Sequence, residues 1–183
     1  MKRAYLTITL CLLFTSICYP QSATQNEVRF DLSRIGFVMD GRTICEDKGR
    51  FQDYPSEVMD QIIAAGPKSV PVLIGMLTDT RMVKTQEPII CFWPGMTISD
   101  VAFCALGDLF LDPQTNTTTI PGAGWNEMLG PDEGRPAWEQ LHRFTRTQGL
   151  KALQAKWQKL WDNHASQVYW DPKARCFRLK ASS

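Results

Sequence analysis

A mainly α-helical fold, made of helical hairpins with long irregular loops and closed by a short C-terminal β-hairpin, follows from three observations in the sequence. Apolar residues recur every three or four positions in five stretches between Pro55 and Trp161, the spacing that lines one face of a helix. Helix-ending residues separate two pairs of these stretches, Gly66-Pro67 in the first pair and Gly149 in the second. The tail QVYWDPKARCFRLK places two aromatic-rich runs on either side of Asp171-Pro172, the opening of a type I turn.

The chain begins Met1-Lys2-Arg3, continues through an apolar run from Ala4 to Ile17, and becomes polar from Tyr19 to Ala23. A basic start, an apolar stretch too short to span a bilayer comfortably and small residues near its end predict a secretory signal over residues 1–23. Cleavage after Ala23 meets an awkward Gln21 two places earlier, whereas Ser16-Ile17-Cys18 puts small residues at the matching positions. The expectation is export to the periplasm or beyond, with residues 24–183 forming a single domain. No later segment is apolar for long enough to hold the chain in a membrane once the signal is removed. Loss of Lys2 and Arg3 from the 20 Lys and Arg leaves 18 basic side chains against 19 acidic ones. That near-neutral balance excludes a protein that binds nucleic acid by neutralising phosphates, so the partner expected is another protein. Roughly 160 residues suffice for a core that folds without help from disulfides.

From Glu27 the stretch VRFDLSRIGFVMDG alternates apolar and polar positions, with Val28, Phe30 and Leu32 on one side, and predicts extended structure ending at the Asp40-Gly41 turn. Ile44 to Tyr54 is charged and reads as a surface loop. Pro55 then opens a helix that buries Val58, Met59, Ile62 and Ile63, and Gly66 stops it. A second helix follows at once, with Pro71 in its first turn and Val70, Leu73, Ile74 and Leu77 to bury. Two helices joined by so short a link form an antiparallel hairpin.

The segment AAGPKSVPVLIGMLTD, followed later by DVAFCALGDL, resembles the HEAT and armadillo-type helical repeats. In that family a helix ends at glycine, an Ala/Val-Pro-x-Leu-Ile segment opens the next, and an aspartate closes it. The resemblance covers residues 55–111 and implies a packing scaffold that presents surfaces to other proteins. The chain departs from the family where Arg81 to Met96 replaces the usual short turn, and no run of three clean repeats follows. What the resemblance implies here is a compact HEAT-like domain and not an extended superhelix.

Within that insertion Ile89 to Trp93 is too apolar for a solvated loop, which makes Trp93 a candidate binding residue. Thr97-x-x-Asp100 is a capping box with Asp in the place usually given to Glu or Gln. It opens a helix with Ile98, Val101, Ala102, Ala105 and Leu109 on one face, and Gly107 permits close approach of a neighbour. Asp112 to Gly134 reads as the longest irregular loop. Loops of such length in compact domains are commonly functional, so Trp125, Asn126 and Glu127 are candidate binding residues. Asp112, Gln114 and Asn116 alternate as in a calcium loop, but Thr117 stands where glycine is needed and the closing glutamate is missing. Asn116-Thr117-Thr118 is a formal glycosylation sequon.

Pro136 opens a helix over Ala137 to Gln148 that buries Trp138, Leu141 and Phe144. Its successor from Leu150 buries Leu153, Trp157, Leu160 and Trp161. Arg143, Arg146, Lys151, Lys156 and Lys159 make this second hairpin basic, as a solvated helix face would be or a surface for an acidic partner. Tyr169, Trp170 and Phe177 are expected to pack the terminal hairpin onto the helices.

Four cysteines lie beyond the signal, Cys45, Cys91, Cys104 and Cys176, in a compartment that permits oxidation. One or two disulfides among them are expected in any of three pairings, with Cys104 alternatively a reduced core residue. The sequence carries no Gly-x-Ser-x-Gly, His-Glu-x-x-His, phosphate loop or dinucleotide fingerprint, and His142 and His164 have no third ligand at metal-binding spacing. No catalytic residue, metal or cofactor is therefore assigned. The reading that fits is an exported non-catalytic interaction or scaffold module. Two others keep the 112–134 loop as the working surface: a small exported hydrolase, and an exported inhibitor or immunity-type protein.

Overall fold

The computed structural model describes residues 28–34, 57–83, 95–112, 114–131, 134 and 137–180. The signal segment, the Asp40-Gly41 turn, the 44–54 loop, Pro55, Ile89 to Trp93, Pro136, Cys45 and Cys91 lie outside the described residues. Six helices and two small antiparallel β-hairpins are present among those described.

Helix α1, Glu57–Ala65, buries Val58, Met59 and Ile62, with Ile63 packed at the margin. Gly66, at φ 58°, takes the left-handed conformation that ends it. A single 3-10 turn over Gly66–Lys68 carries the chain into α2, Ser69–Met76. Ser69 Oγ donates to Gly66 O at 2.7 Å, which fixes that turn. The hairpin expected from Gly66-Pro67 is thus formed, and its second helix, SVPVLIGM, carries no charge.

Helix α3, Ile98–Leu109, is buried along all twelve of its residues. The sequence predicts one apolar face; the difference arises because α2, α4 and the C-terminal β-hairpin surround the remainder. A helix covered on every side must be small or apolar where its neighbours press closest, as VAFCALG is. Its start is the expected capping box: Thr97 N donates to Asp100 Oδ2 at 2.7 Å and Asp100 N donates to Thr97 Oγ1 at 3.3 Å. Ser99, also buried, donates to Leu77 O at 2.7 Å and ties α3 to the end of α2.

Among its described residues the Asp112–Gly134 stretch carries regular structure, where the sequence predicts an irregular loop. Strands β1, Leu111–Asp112, and β2, Thr117–Thr118, pair antiparallel, and α4, Trp125–Leu129, follows. The sequence hides this because the strands are two residues long and their tip is built from side-chain chemistry: Asp112 Oδ1 accepts from Gln114 N at 2.8 Å, and Asn116 takes φ 54°. Asp112 also accepts from Arg178 at 2.7 Å, so the residues that resemble a calcium loop form a closed turn with its own counter-charge.

Helices α5, Ala137–Gln148, and α6, Leu150–His164, form the second hairpin on either side of Gly149, at φ 86°. Leu141, Phe144, Leu153 and Trp157 are buried as expected, with Leu160 and Trp161 at the margin. Trp138 is not; it is exposed, because it lies one helical turn before His142 at the outer edge of α5. Strands β3, Val168–Asp171, and β4, Cys176–Leu179, make the terminal hairpin, with Asp171 Oδ1 accepting from Lys173 N and Ala174 N. Phe177 is buried against Phe110 at 5.2 Å and Trp170 closes over it at 5.1 Å, whereas Tyr169 faces outward and is exposed. Val28 to Leu32 does not pair as a strand: Leu32–Arg34 is a 3-10 turn, with Phe30 and Leu32 sunk into the core.

No disulfide joins the described residues. Cys104 and Cys176 are both buried, and the other two cysteines of the expected bridges, Cys45 and Cys91, lie outside the described residues. Each replaces a small apolar residue in the packing, a role a thiol fills without oxidation.

Candidate binding groove

Helix α4 is one and a half turns long and cannot hold itself together, so its neighbours do so. Trp125 meets Phe103 of α3 edge to face, ring centres 4.7 Å apart. Gly107 makes that contact possible, since a Cβ there would come within 2.7 Å of Trp125 Nε1. Glu127 caps the helix start, its Oε2 accepting from Gly124 N at 2.9 Å. The carbonyls at the other end, which no intrahelical N–H can reach, are taken by side chains from the second hairpin. Lys156 Nζ donates to Met128 O at 2.6 Å, buried Gln140 donates to Gly130 O, and Arg143 donates to Pro131 O at 3.2 Å. Gln140 Nε2 also lies 3.1 Å from Asn126 Oδ1 and donates to it.

This arrangement leaves an open groove of about 480 Å³ between α4 and the α5–α6 hairpin. Leu129 and Phe144 give it an apolar floor, Arg143 and Lys156 place cations on it, and Glu127 and Thr147 stand at its edges. The Lys156 ammonium is 5.1 Å from the Phe144 ring centre, a cation–π contact that holds the charge over the floor. Five basic side chains against two acidic ones on α5 and α6 give the surrounding surface a positive field. The groove thus sets cationic donors beside an apolar surface. Arg143 supplies a planar fork of donors, Lys156 a point charge, and the floor an apolar seat.

Of the candidate residues named from the sequence, Trp125 serves as the anchor of α4, Asn126 as an acceptor for Gln140, and Glu127 as a helix cap that also lines the groove. Trp93 lies outside the described residues. The basic character of Arg143 and Lys156 is visible in the sequence. Their convergence on the end of α4 is not, because α4 itself is hidden in a stretch rich in glycine and proline. Gln140 leaves no signal at all, being a polar residue at a helix position that only tertiary packing buries.

A second cluster lies where α3 begins. Asp100 Oδ1 stands 4.0 Å from His142 Nε2, and His142 meets exposed Trp138 edge to face at 5.8 Å. Burial pushes the Asp100 carboxyl above its usual range, against the pull of Thr97 and His142. At the opposite side Arg178 links the two β-hairpins. It donates to Asp112, and its Nε is 2.9 Å from Asp171 Oδ2 in an ion pair without hydrogen-bond geometry. Asp112 is held below the usual carboxylate range, first by Gln114 N and then by Arg178; Asp171 is lowered chiefly by Ala174 N. Among the described residues no three His, Cys, Asp or Glu side chains converge as a metal site, and no helix is long and apolar enough to cross a membrane. Comparison with protein-family models, with curated proteins and with solved structures finds no match to the chain.

Proposed function

We propose that the protein is an exported, non-catalytic interaction module that takes an acidic segment of a partner protein into the groove between α4 and the α5–α6 hairpin. The observation that carries this reading is the placing of Arg143 and Lys156 over the apolar floor of Leu129 and Phe144. In this reading the HEAT-like first hairpin and α3 are the scaffold, and the second hairpin is the surface the scaffold presents. Export is proposed from the leader of residues 1–23. Steering between opposite charges speeds encounter and weakens with salt, while the apolar floor supplies a part of the affinity that salt leaves in place.

The test uses fluorescence anisotropy of a labelled peptide alternating glutamate and leucine, titrated with protein lacking residues 1–23. The expected outcome is saturable binding that falls as salt rises from about 0.05 to 0.5 M. Arg143→Glu is expected to weaken it about tenfold or more, with no loss of helical signal. Binding that is insensitive to both salt and Arg143→Glu would remove the groove from consideration. Cross-linked co-purification from the native envelope fraction then identifies the partner, which should be lost with the same variant.

A further inference from the structure

Gln140 of α5 is a polar side chain in the core, 2% exposed, next in sequence to buried Leu141. Burying a carboxamide is costly unless its donors are taken up, and here they go to one neighbour. Nε2 donates to Asn126 Oδ1 at 3.1 Å, near the start of α4, and to Gly130 O, just past its end. A single side chain therefore spans the whole of α4. Gln140 stands three and four positions before Arg143 and Phe144, so it continues the face of α5 that lines the groove, but it lies against α4 and not in the groove itself.

The two groove cations rest on carbonyls that flank the one Gln140 holds. Lys156 Nζ donates to Met128 O at 2.6 Å and Arg143 to Pro131 O at 3.2 Å, while Gly130 O between them accepts from Gln140. Gly130, at φ 94°, gives the chain the turn that separates these acceptors. Long cationic side chains lose freedom when a partner fixes them, and that cost lowers affinity if it falls at the moment of binding. Here the carbonyls after α4, and the Phe144 ring near Lys156, restrain the cations beforehand. An ammonium has three N–H donors and a guanidinium five, so a bond to one carbonyl does not use up either charge.

We propose that Gln140 is the positioning residue of the groove: it fixes the turn after α4 whose carbonyls orient Lys156 and Arg143 toward an acidic segment. The role rests on the groove reading above, and it makes affinity depend on a side chain that the partner does not touch.

The experiment is stopped-flow binding of the labelled glutamate–leucine peptide to the chain lacking residues 1–23, wild type against Gln140→Met, which nearly keeps the volume and removes both donors. Every charge of the groove remains, so the association rate and its salt dependence should stay within about twofold. Dissociation should quicken about tenfold, the worth of one or two hydrogen bonds. A side chain that only holds the fold together would change stability in urea and neither rate; that result, like a slowed association, overturns the proposal. A second measurement needs no variant. Coupling is reciprocal, so saturating peptide should slow exchange of the Gln140 carboxamide protons in wild-type protein by the same factor of about ten. Unchanged exchange in the peptide-bound protein overturns the role of Gln140 and leaves the groove standing. Absence of peptide binding to wild type removes the groove reading and the role of Gln140 with it.

Discussion

The two helical hairpins share a plan and differ in where their charge lies. The α1–α2 hairpin, residues 57–76, has three charged side chains, and its second helix has none. The α5–α6 hairpin has seven, arranged so that Leu141, Phe144, Leu153 and Trp157 face inward while the cations face out. Each buries one side in the core; the first leaves Glu57, Asp60 and Lys68 exposed on the other, and the second an outer face dominated by cations. The lesson is that equal geometry carries unequal work: substitutions in the first hairpin should register as lost stability, and those on the outer side of the second as lost binding.

The largest expected effect is at Leu73, fully buried in α2. Leu73→Ala should lower the stability seen in urea denaturation by about 2–5 kcal/mol, through lost burial and the cavity it leaves. A loss below about 1 kcal/mol would mean that the first hairpin is not the packing centre. Next comes Gly107→Ala, whose new Cβ must displace the Trp125 ring from 2.7 Å. A destabilisation of about 1–3 kcal/mol and a shift in tryptophan emission are expected. Since Trp125 anchors α4, this variant should also weaken acidic-peptide binding at the groove, which links the scaffold to the surface it carries.

A third effect depends on pH. The folded carboxyl of Asp100 is raised above its ordinary value by burial, so the folded state holds that proton more tightly than the unfolded chain does. Its contribution to stability is full below the ordinary aspartate range and is lost as pH rises through the folded value. Asp79, Asp112 and Asp171 are shifted the other way. Their contribution is full above the ordinary range and disappears as pH falls through their lowered values. Asp100→Asn should therefore flatten the decline in melting temperature on going from about pH 4 toward neutrality and leave the acid limb below pH 4 unchanged. An identical slope in variant and wild type would remove Asp100 as its source. The smallest stability effect belongs to Arg143→Glu, within about 1 kcal/mol in urea, despite being the variant that most weakens binding. A large loss of stability there would instead make Arg143 chiefly a prop for the end of α4.

Much of the helical framework is legible from the chain because each of its boundaries is a local event. Gly66 and Gly149 are left-handed stops, Thr97 and Asp100 cap each other within one turn, and Asp171 closes a turn with its own backbone. What sequence pattern misses is set by partners far along the chain. Trp138 fits an apolar stripe and yet is exposed, because among the described residues no element covers the end of α5 where it sits. Helix α4 is too short for a periodic signal, and it exists because Phe103, Gln140 and Lys156 hold its two ends. The groove inherits that difficulty: its charges can be read from the sequence, but the wall opposite them cannot.

The placement of α3 also bears on how the chain folds. Gln154 of α6 donates to Ile74 O of α2 at 3.0 Å, and Phe103 of α3 meets Trp157 of α6 edge to face, ring centres 6.4 Å apart. These contacts join residues 80 and 54 positions apart, so long loops must close before α3 is covered on that side. The amides of α3 should accordingly exchange with solvent only when the whole molecule opens, while those of the short β1–β2 hairpin exchange through local fraying. During synthesis α3 emerges well before α6, so the side of it that meets Trp125 and Trp157 stays uncovered until the last third of the chain arrives, while α2 is already there to cover the other.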